Sequence, residues 1–167
     1  MKIQLEEKTK NALKWIVNIL DNHKIDYQIS GGLAGKIFGS QRKLNDIDID
    51  ISEKYFLEIL PEISEYIIFG PARYKDAKWD LELITLNYHG QEIDISGIDT
   101  LLISNKERTK WISYPGFLSE ALNMECVGLK IKMINPKYFL EYKKELDGEQ
   151  QLEDIKAVEQ YLISNNL

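Results

Sequence analysis

The chain has 167 residues and a formal net charge of −6, and 44% of its residues are hydrophobic. That size suits one globular domain, and the acidic balance argues against a broad nucleic-acid surface, which would carry clustered Lys and Arg. One cysteine and two histidines are too few for a Cys/His zinc site, and no apolar run approaches the roughly 20 residues that span a membrane.

Apolar side chains at helical spacing come first along the chain. Leu13, Ile16 and Leu20 recur every three or four residues and predict an amphipathic helix over residues 5–23. Alternating polarity at 25–30 then predicts a short strand. The next predicted elements are a turn at 31–32, a short helix at 33–38, a strand at 46–51, and a helix from Ser52 to about residue 65 that Pro61 kinks or ends.

Beyond residue 65 the period of the apolar residues changes to two, which indicates strands. Residues 79–88 and 91–96 alternate on either side of His89-Gly90 and predict a hairpin. The remaining predictions are a loop at 70–75, a short strand at 110–114 broken by Pro115, a strand at 124–134 bent at Gly128, a helix from Pro136 to about residue 146, and a helix at 149–163 with Leu152, Ile155, Val158, Tyr161 and Leu162 on one face.

This order of elements predicts an α/β (α+β) fold. We expect a mixed β-sheet packed by helices, closed by a short pair of C-terminal helices. Residues 1–134 would form the core, and residues 135–167 would be a helical segment packed on the same domain.

Three aspartates alternate with isoleucines on one predicted strand. Because side chains alternate across a strand, Asp46, Asp48 and Asp50 share one face. Such a row of like charges is unfavourable unless a cation neutralises it, and hard carboxylate oxygens suit magnesium. The hairpin offers a third ligand, Asp94, with Glu92 on the same face as the alternative. We therefore expect Asp46, Asp48 and Asp94 to meet in one cleft, with Asp50 at its edge or outside.

A pair of glycines, Gly31-Gly32, lies between the first predicted strand and the short helix. Glycine has no Cβ, so the backbone there can approach a triphosphate, and the free N–H groups of a helix start favour anions. Ser30 adds a hydroxyl. Arg42 and Lys43 precede the aspartates and are either phosphate contacts or ordinary surface charges.

Together these motifs resemble those of the DNA polymerase β-type nucleotidyltransferase superfamily. Its mark is a strand ending in Gly-Gly or Gly-Ser, a short helix, an Asp-x-Asp strand, and a third carboxylate on a later strand. The small members that modify aminoglycosides and lincosamides are similar, and the abortive-infection toxin nucleotidyltransferases are a second similar group. The resemblance implies a nucleotidyltransferase-like fold in which Asp46, Asp48 and Asp94 are catalytic and bind two Mg²⁺ ions.

The resemblance also implies an NTP substrate, whose β- and γ-phosphates would lie on Ser30, Gly31 and Gly32. In several small relatives a lysine from a C-terminal helix reaches the triphosphate, and a later helix carries Asp-Ile. Lys143 and Asp154 match those two positions in this sequence.

We therefore expect an enzyme that transfers NMP from an NTP to an acceptor hydroxyl and releases pyrophosphate. Acidic surroundings would favour a small cationic acceptor. With no secretory pattern at its start, the chain is expected to be cytoplasmic; the sequence does not indicate an oligomeric state. Residues 148–152 replace a basic pattern of many relatives, so the alternatives are an inactive nucleotide-binding or protein-partner module of the same fold, or a toxin-type enzyme acting on tRNA or protein.

Overall fold

A computed structural model of the chain describes residues 3–114 and 116–167. The first two residues of the predicted core and Pro115, predicted to break a strand, therefore lie outside the described residues. The helices and strands are α1 (Glu7–Asn22), β1 (Tyr27–Ser30), α2 (Gly31–Ile37), β2 (Asp46–Ile51), α3 (Phe56–Ile63), β3 (Ile67–Lys75), β4 (Trp79–Tyr88), β5 (Gln91–Gly97), β6 (Leu102–Ser104), β7 (Trp111–Ser113), β8 (Leu122–Cys126), β9 (Leu129–Met133), α4 (Pro136–Lys143) and α5 (Glu149–Ser164). This order confirms the predicted α/β class with two C-terminal helices.

The described strands form one mixed sheet of nine strands. Their order is β7-β6-β4-β5-β2-β1-β9-β8, and β3 pairs with β4 beside this path. Strand β2 lies between β1 and β5, antiparallel to the first and parallel to the second. Its two faces therefore lie in the middle of the sheet, away from the solvated edges.

Alternating isoleucines form the buried face of the two central strands. Ile47, Ile49 and Ile51 on β2 are 0% exposed, as are Ile93 and Ile95 on β5. They belong to one core with the buried faces of α1 and α3. Each buried isoleucine stabilises the fold by about 1.5–3 kcal/mol. A slip of one residue would turn the aspartates of β2 into this core, so the register of the strand is fixed.

The C-terminal helices pack against each other, and α5 also contacts α2. Asn135 caps α4 by accepting a hydrogen bond from the Lys137 N–H at 3.0 Å. Leu152, predicted on the buried face of the last helix, is 55% exposed. The residue of α5 that faces α2 is Asp154. A Cβ on Gly35 of α2 would lie only 2.9 Å from the Cγ atom of Asp154. No helix in the described ranges is both long and apolar enough to cross a membrane.

Strand β3 replaces the loop predicted at 70–75. It pairs with β4 alone, and the register shifts between Phe69 and Ala72, around Gly70 and Pro71. An edge strand tolerates proline because one row of its N–H groups needs no partner. Most side chains of β3 are exposed on both faces, so the sequence lacks the alternation that indicates a strand.

Three boundaries also differ from the predictions. The apolar stretch at 124–134 is a hairpin of β8 and β9, because Gly128 has a φ of +82° and turns the chain. Helix α2 begins at Gly31 instead of Leu33, and α3 begins at Phe56, after a 3-10 turn at Glu53–Tyr55, instead of directly after Ser52. The short strand β6 falls in a stretch where the sequence shows no clear period.

His23, which follows α1, links that helix to α3. Its Nδ1 lies 3.1 Å from Glu58 Oε1, and its Nε2 contacts Glu62. Hydrogen bonds to Glu62 and Glu58 raise the pKa of His23 above its ordinary value of 6.5. A histidine with a raised pKa stabilises the fold fully below the unfolded-state pKa, and this contribution is lost as pH rises through the folded-state pKa.

We therefore expect the melting temperature of the wild-type protein to fall as pH rises from 6.5 through the folded-state pKa of His23. The His23→Gln variant carries no titrating ring and should show a smaller fall over the same range. Thermal unfolding followed by circular dichroism at several pH values measures both. An identical pH dependence in the two proteins would contradict a contribution from the charged ring.

Candidate active site

One face of the sheet carries carboxylates from β2 and β5. In the parallel register of these strands, Asp46 pairs with Glu92 and Asp48 pairs with Asp94. Paired residues on adjacent strands point to the same face, so the four side chains lie side by side. All four line one cleft.

Three of these carboxylates come close enough to share a cation. One oxygen each of Asp46, Glu92 and Asp94 lies within 4.8 Å of the other two. Thr85 on β4 orients Asp94 by donating a hydrogen bond to its Oδ1 at 2.6 Å. Burial, together with the charges of Asp46 and Glu92, raises the pKa of Asp94 to about 6. Glu92, which the sequence offered as the alternative to Asp94, therefore lies beside it.

Asp48 fills the space above Gly31. A Cβ on Gly31 would lie 1.8 Å from Asp48 Oδ2, and Gly31 has a φ of +57°, so a larger residue does not fit. Burial and the negative charges of Asp46, Asp94 and Asp50 raise the pKa of Asp48 well above its ordinary value. The missing Cβ of Gly31, which the sequence related to phosphate binding, makes room for a carboxylate in this structure.

Asp50 lines the cleft, so it does not lie outside it; its expected place at the edge stays a prediction. Its carboxylate accepts hydrogen bonds from Gln28 Nε2 at 2.9 Å and from Ser30 Oγ at 3.2 Å. Burial raises the pKa of Asp50 to about 6, although both hydrogen bonds oppose this shift. Ser30, predicted to meet a phosphate, is buried and directs its hydroxyl to Asp50.

Asp154 of α5 holds the basic end of the cleft together. Its side chain is 0% exposed and accepts hydrogen bonds from Arg42 Nη2 at 2.8 Å and from Lys143 Nζ at 3.0 Å. Burial alone would raise the pKa of Asp154, but the hydrogen bonds and charges of these two cations outweigh it, and the pKa is lowered. Burial lowers the pKa of Lys143 in spite of Asp154. The structure thus joins Lys143 and Asp154, which the resemblance had only matched by position.

Gly32 makes room for this cluster. A Cβ on Gly32 would lie 2.9 Å from Arg42 Nη2, so the second glycine of the pair accommodates the guanidinium. Lys43 is exposed and does not line the cleft. The structure thus brings Arg42 to the site and leaves Lys43 in solvent.

Tyr142 of α4 lies over the glycine pair. Its hydroxyl accepts a hydrogen bond from the Gly31 N–H at 2.8 Å. Burial, followed by the charges of Asp48 and Asp50, raises the pKa of Tyr142 well above its ordinary value, so the hydroxyl stays protonated. The sequence pattern did not mark Tyr142, since its partner is 111 residues away along the chain.

These groups surround a cavity of 430 Å³, a volume typical of small-molecule sites. Cations lie at one end, carboxylates lie in the middle, and apolar side chains such as Leu81 and Leu83 lie beyond them. The arrangement can hold a metal cation against the carboxylates and an anionic group against the basic end.

Replacing Gly31 with alanine should strain the backbone and displace Asp48. We expect the Gly31→Ala variant to lose about 1–3 kcal/mol of unfolding free energy, the cost of a strained backbone position. Because the new Cβ also forces Asp48 to move, Mg²⁺ binding should weaken. Denaturant unfolding and calorimetric titration with Mg²⁺ measure the two effects.

Gly90→Ala is the matched control for this strain. Gly90 has a φ of +88° in the hairpin turn, and in the described ranges no heavy atom beyond Gly90 and its two chain neighbours lies within 4 Å of the position that a Cβ would take. The Gly90→Ala variant should lose unfolding free energy without any change in its affinity for Mg²⁺. Equal Mg²⁺ affinity in the two variants would contradict the role assigned to Gly31.

Neutralising Asp154 should destabilise the protein through two unpaired cations. We expect the Asp154→Asn variant to lose about 3–5 kcal/mol of unfolding free energy, the cost of removing one partner of a buried ion pair. Glu159→Gln on the same helix is the control. Its carboxylate pairs with Lys144 at 3.7 Å and is 49% exposed, so its loss should stay below about 1 kcal/mol. Similar losses in both variants would contradict the role of Asp154.

Solved structures of nucleotidyltransferases share this fold. A Thermotoga maritima protein provisionally described as a nucleotidyltransferase matches with a TM-score of 0.72 and 20% identity, over 96% of each chain. The lincosamide antibiotic adenylyltransferase LnuA, with lincomycin bound, matches with a TM-score of 0.59 and 17% identity over 89% of this chain and 95% of LnuA. ANT(2″)-Ia, in complex with adenylyl-2″-tobramycin, matches with a TM-score of 0.62 and 11% identity over 93% of this chain and 90% of its own.

The chain resembles known proteins in its three-dimensional structure. No protein-family profile and no curated protein sequence matches the chain. At 11% to 20% identity, the structural matches establish the arrangement of helices and strands. The chain therefore has the polymerase β-type nucleotidyltransferase fold, as its glycine pair and Asp-x-Asp strand predicted.

Proposed function

We propose that the protein is a magnesium-dependent nucleotidyltransferase, which transfers NMP from an NTP to an acceptor hydroxyl and releases pyrophosphate. One observation carries this proposal: a group of carboxylates and a pair of cations held by Asp154 line the same cavity. The first could bind metal, and the second could bind phosphate. The nucleotidyltransferase fold of the structural neighbours agrees with that division.

The acidic residues fit magnesium. The oxygens of Asp46, Glu92 and Asp94 lie within 4.8 Å of one another, and carboxylate oxygens are the ligands that Mg²⁺ prefers. Burial and the neighbouring carboxylates raise the pKa values of Asp48 and Asp94, and for Asp48 the charge of Lys143 opposes the shift without cancelling it. We assign two Mg²⁺ ions to Asp46, Asp48 and Asp94, with Glu92 as an additional ligand; Asp48 lines the same cleft but is not one of the three carboxylates whose oxygens lie within 4.8 Å of one another. When bound, such ions neutralise charge on the phosphates and activate the acceptor oxygen.

Arg42 and Lys143 would bind the phosphates of the NTP. Arg42 uses Nε and Nη2 for Asp154, which leaves its Nη1 without a protein partner in the described ranges. Lys143 has three donors and uses two of them, for Asp154 and Gln151. Each cation can therefore donate to a phosphate while Asp154 still holds it. The N–H of Gly32, in the first turn of α2, offers a further donor.

Asp94 would act as the base in the transfer. The acceptor oxygen bonds to the α-phosphorus, the bond from that phosphorus to the pyrophosphate oxygen breaks, and the hydroxyl proton passes to Asp94. Its position suits this role, because Asp94 lines the cavity and Thr85 holds its carboxylate in place by donating to Oδ1. The surrounding carboxylates would favour a neutral or cationic acceptor over an anionic one.

A catalytically inactive nucleotide-binding module is the second candidate. Tyr142 accepts a hydrogen bond from the Gly31 N–H, and Asp154 engages both cations. Part of the capacity for binding phosphate is therefore used within the protein. Such a module would bind Mg²⁺ and NTP but release no pyrophosphate with any hydroxyl compound.

Neutralising Asp46 and Asp48 together tests the proposal. We expect the Asp46→Asn/Asp48→Asn variant to lose magnesium-dependent ATP binding in calorimetric titrations, because the ligands of the metal are gone. Without Mg²⁺ its melting temperature should equal or exceed that of the wild type, since repulsion on the sheet face is relieved.

The matched control is Asp21→Asn/Asp26→Asn, which removes the same charge from two exposed positions outside the cleft. It should bind ATP as the wild type does. Equal ATP affinity in the two double variants would rule out the metal site. A pyrophosphate-release assay with hydroxyl compounds then separates the enzyme from the inactive module.

A further inference from the structure

The cleft continues beyond Asp94 along strand β4. Thr85, whose hydroxyl donates to Asp94 Oδ1 at 2.6 Å, is the cross-strand neighbour of Asp94. Because side chains alternate, the next residues on this face of β4 are Leu83 and Leu81. Both leucines line the cavity. Along β4 the lining of the cleft thus changes from polar to apolar beside the proposed base, while Ser96 of β5 lies next to Leu83.

Apolar side chains from other segments surround these two leucines. Ile98 follows β5, Leu101 precedes β6, and Ile103 lies within β6, while Leu146 follows α4. Gly116 has a φ of +71°, and a Cβ there would lie 2.8 Å from Ile98 Cδ1, so glycine lets the loop approach. We call this part of the cavity the apolar compartment, formed by Leu81, Leu83, Ile98, Leu101, Ile103 and Leu146.

Charges in the cleft are separated along its length. Among the described residues that line the cavity, Arg42 and Lys143 are the basic ones, and both are held by Asp154. Leu146 is the part of the compartment next to them, since its N–H donates to the Lys143 carbonyl oxygen at 3.2 Å. Beside the compartment, Tyr74 on β3 donates to Asp76 Oδ2 at 2.8 Å, and both of these residues line the cavity. Among the described residues that line the cavity on this side, the charged ones are carboxylates; Arg108, whose charge helps to lower the pKa of Asp76, lies outside the lining.

We propose that the apolar compartment binds the acceptor, and that the acceptor is a small alcohol with an aromatic or alicyclic body and no anionic group. This inference rests on the proposed function. The hydroxyl would lie at Asp94, and the body would pack on Leu83 and its neighbours, where apolar surface gains by leaving water. The cavity of 430 Å³ must also admit the phosphates of the NTP, which limits the acceptor to a small molecule.

Polar acceptors fit this compartment less well. The extra hydroxyl groups of an open-chain polyol would leave water for a surface that is mostly leucine and isoleucine, where Ser96 beside Leu83 and Tyr74 beside Leu81 offer few hydrogen-bond partners. A carboxylate would in addition face Asp76 and Asp94. The compartment should therefore discriminate by both polarity and charge.

Nuclear magnetic resonance titrations of the isotope-labelled full chain test the inference. The probes are benzyl alcohol and cyclohexylmethanol, the carboxylates with the same rings (benzoate and cyclohexanecarboxylate), and glycerol. We expect the ring alcohols to shift the amide signals of the compartment, with dissociation constants at least about tenfold below those of the other probes. Equal binding of the carboxylates or glycerol there, or no shift of these signals by either ring alcohol, would overturn the inference.

Two variants place an amide in the compartment at half-buried positions, Leu83→Gln and Leu146→Gln. Each should weaken binding of the ring alcohols about tenfold, and the spectra themselves report whether the fold is retained. Leu57→Gln is the matched control, because Leu57 lies on α3, is 76% exposed and does not line the cleft. Unchanged binding in both compartment variants would also overturn the inference.

Titration of the wild type with ATP and Mg²⁺ separates this inference from the proposed function. If Mg²⁺ and ATP bind but the ring alcohols do not, the inference alone fails. If the ring alcohols bind in the compartment but Mg²⁺ and ATP do not bind, the proposed function fails, and the compartment stands as a binding site for such alcohols.

Discussion

Repulsion between carboxylates on the two central strands is the constraint on which the rest of the cleft depends. Strand β2 lies in the middle of the sheet, and its buried isoleucines fix its register, so its aspartates cannot turn away from the cleft. Burial raises the pKa values of Asp48, Asp50 and Asp94 above the ordinary value. The fold therefore holds an excess of negative charge at one place, and a bound divalent cation is the simplest compensation.

One buried carboxylate organises the opposite charge. Arg42 follows α2, Lys143 ends α4, and Asp154 lies in α5, so three separate segments meet in a single cluster. Buried cations need a counter-charge, and a buried carboxylate needs cations. The packing of α5 onto α2 therefore also places Asp154 where it orients Arg42 and Lys143. Donors fixed in advance lose little conformational freedom when a ligand arrives, which favours binding.

Periodicity and motif order predicted the elements that carry the carboxylates, because strand alternation is a local property. The same alternation placed Asp48 and Asp94 on one face of their strands, and the parallel register makes them neighbours. The positions of Asp50 and Glu92 depend on side-chain partners and inter-strand distances, which no local pattern encodes. Strand β3 was missed because both its faces are exposed. The sequence marked Gly31 as a position that needs glycine, but only the structure shows that the Asp48 carboxylate occupies the space beside it.

The order of charges along the cleft, more than the net charge of −6, decides which molecule can occupy which end. In the proposed reaction, an NTP would meet cations at the Asp154 end of the cleft and carboxylates next to them. A neutral or cationic alcohol finds the apolar compartment on the other side of Asp94. Two ligands placed in this way cannot exchange positions, because a triphosphate would meet Asp76 and apolar walls, and a ring would meet buried charges. The α-phosphorus and the acceptor oxygen would then meet at the carboxylates, where the proton of the alcohol has Asp94 as its acceptor.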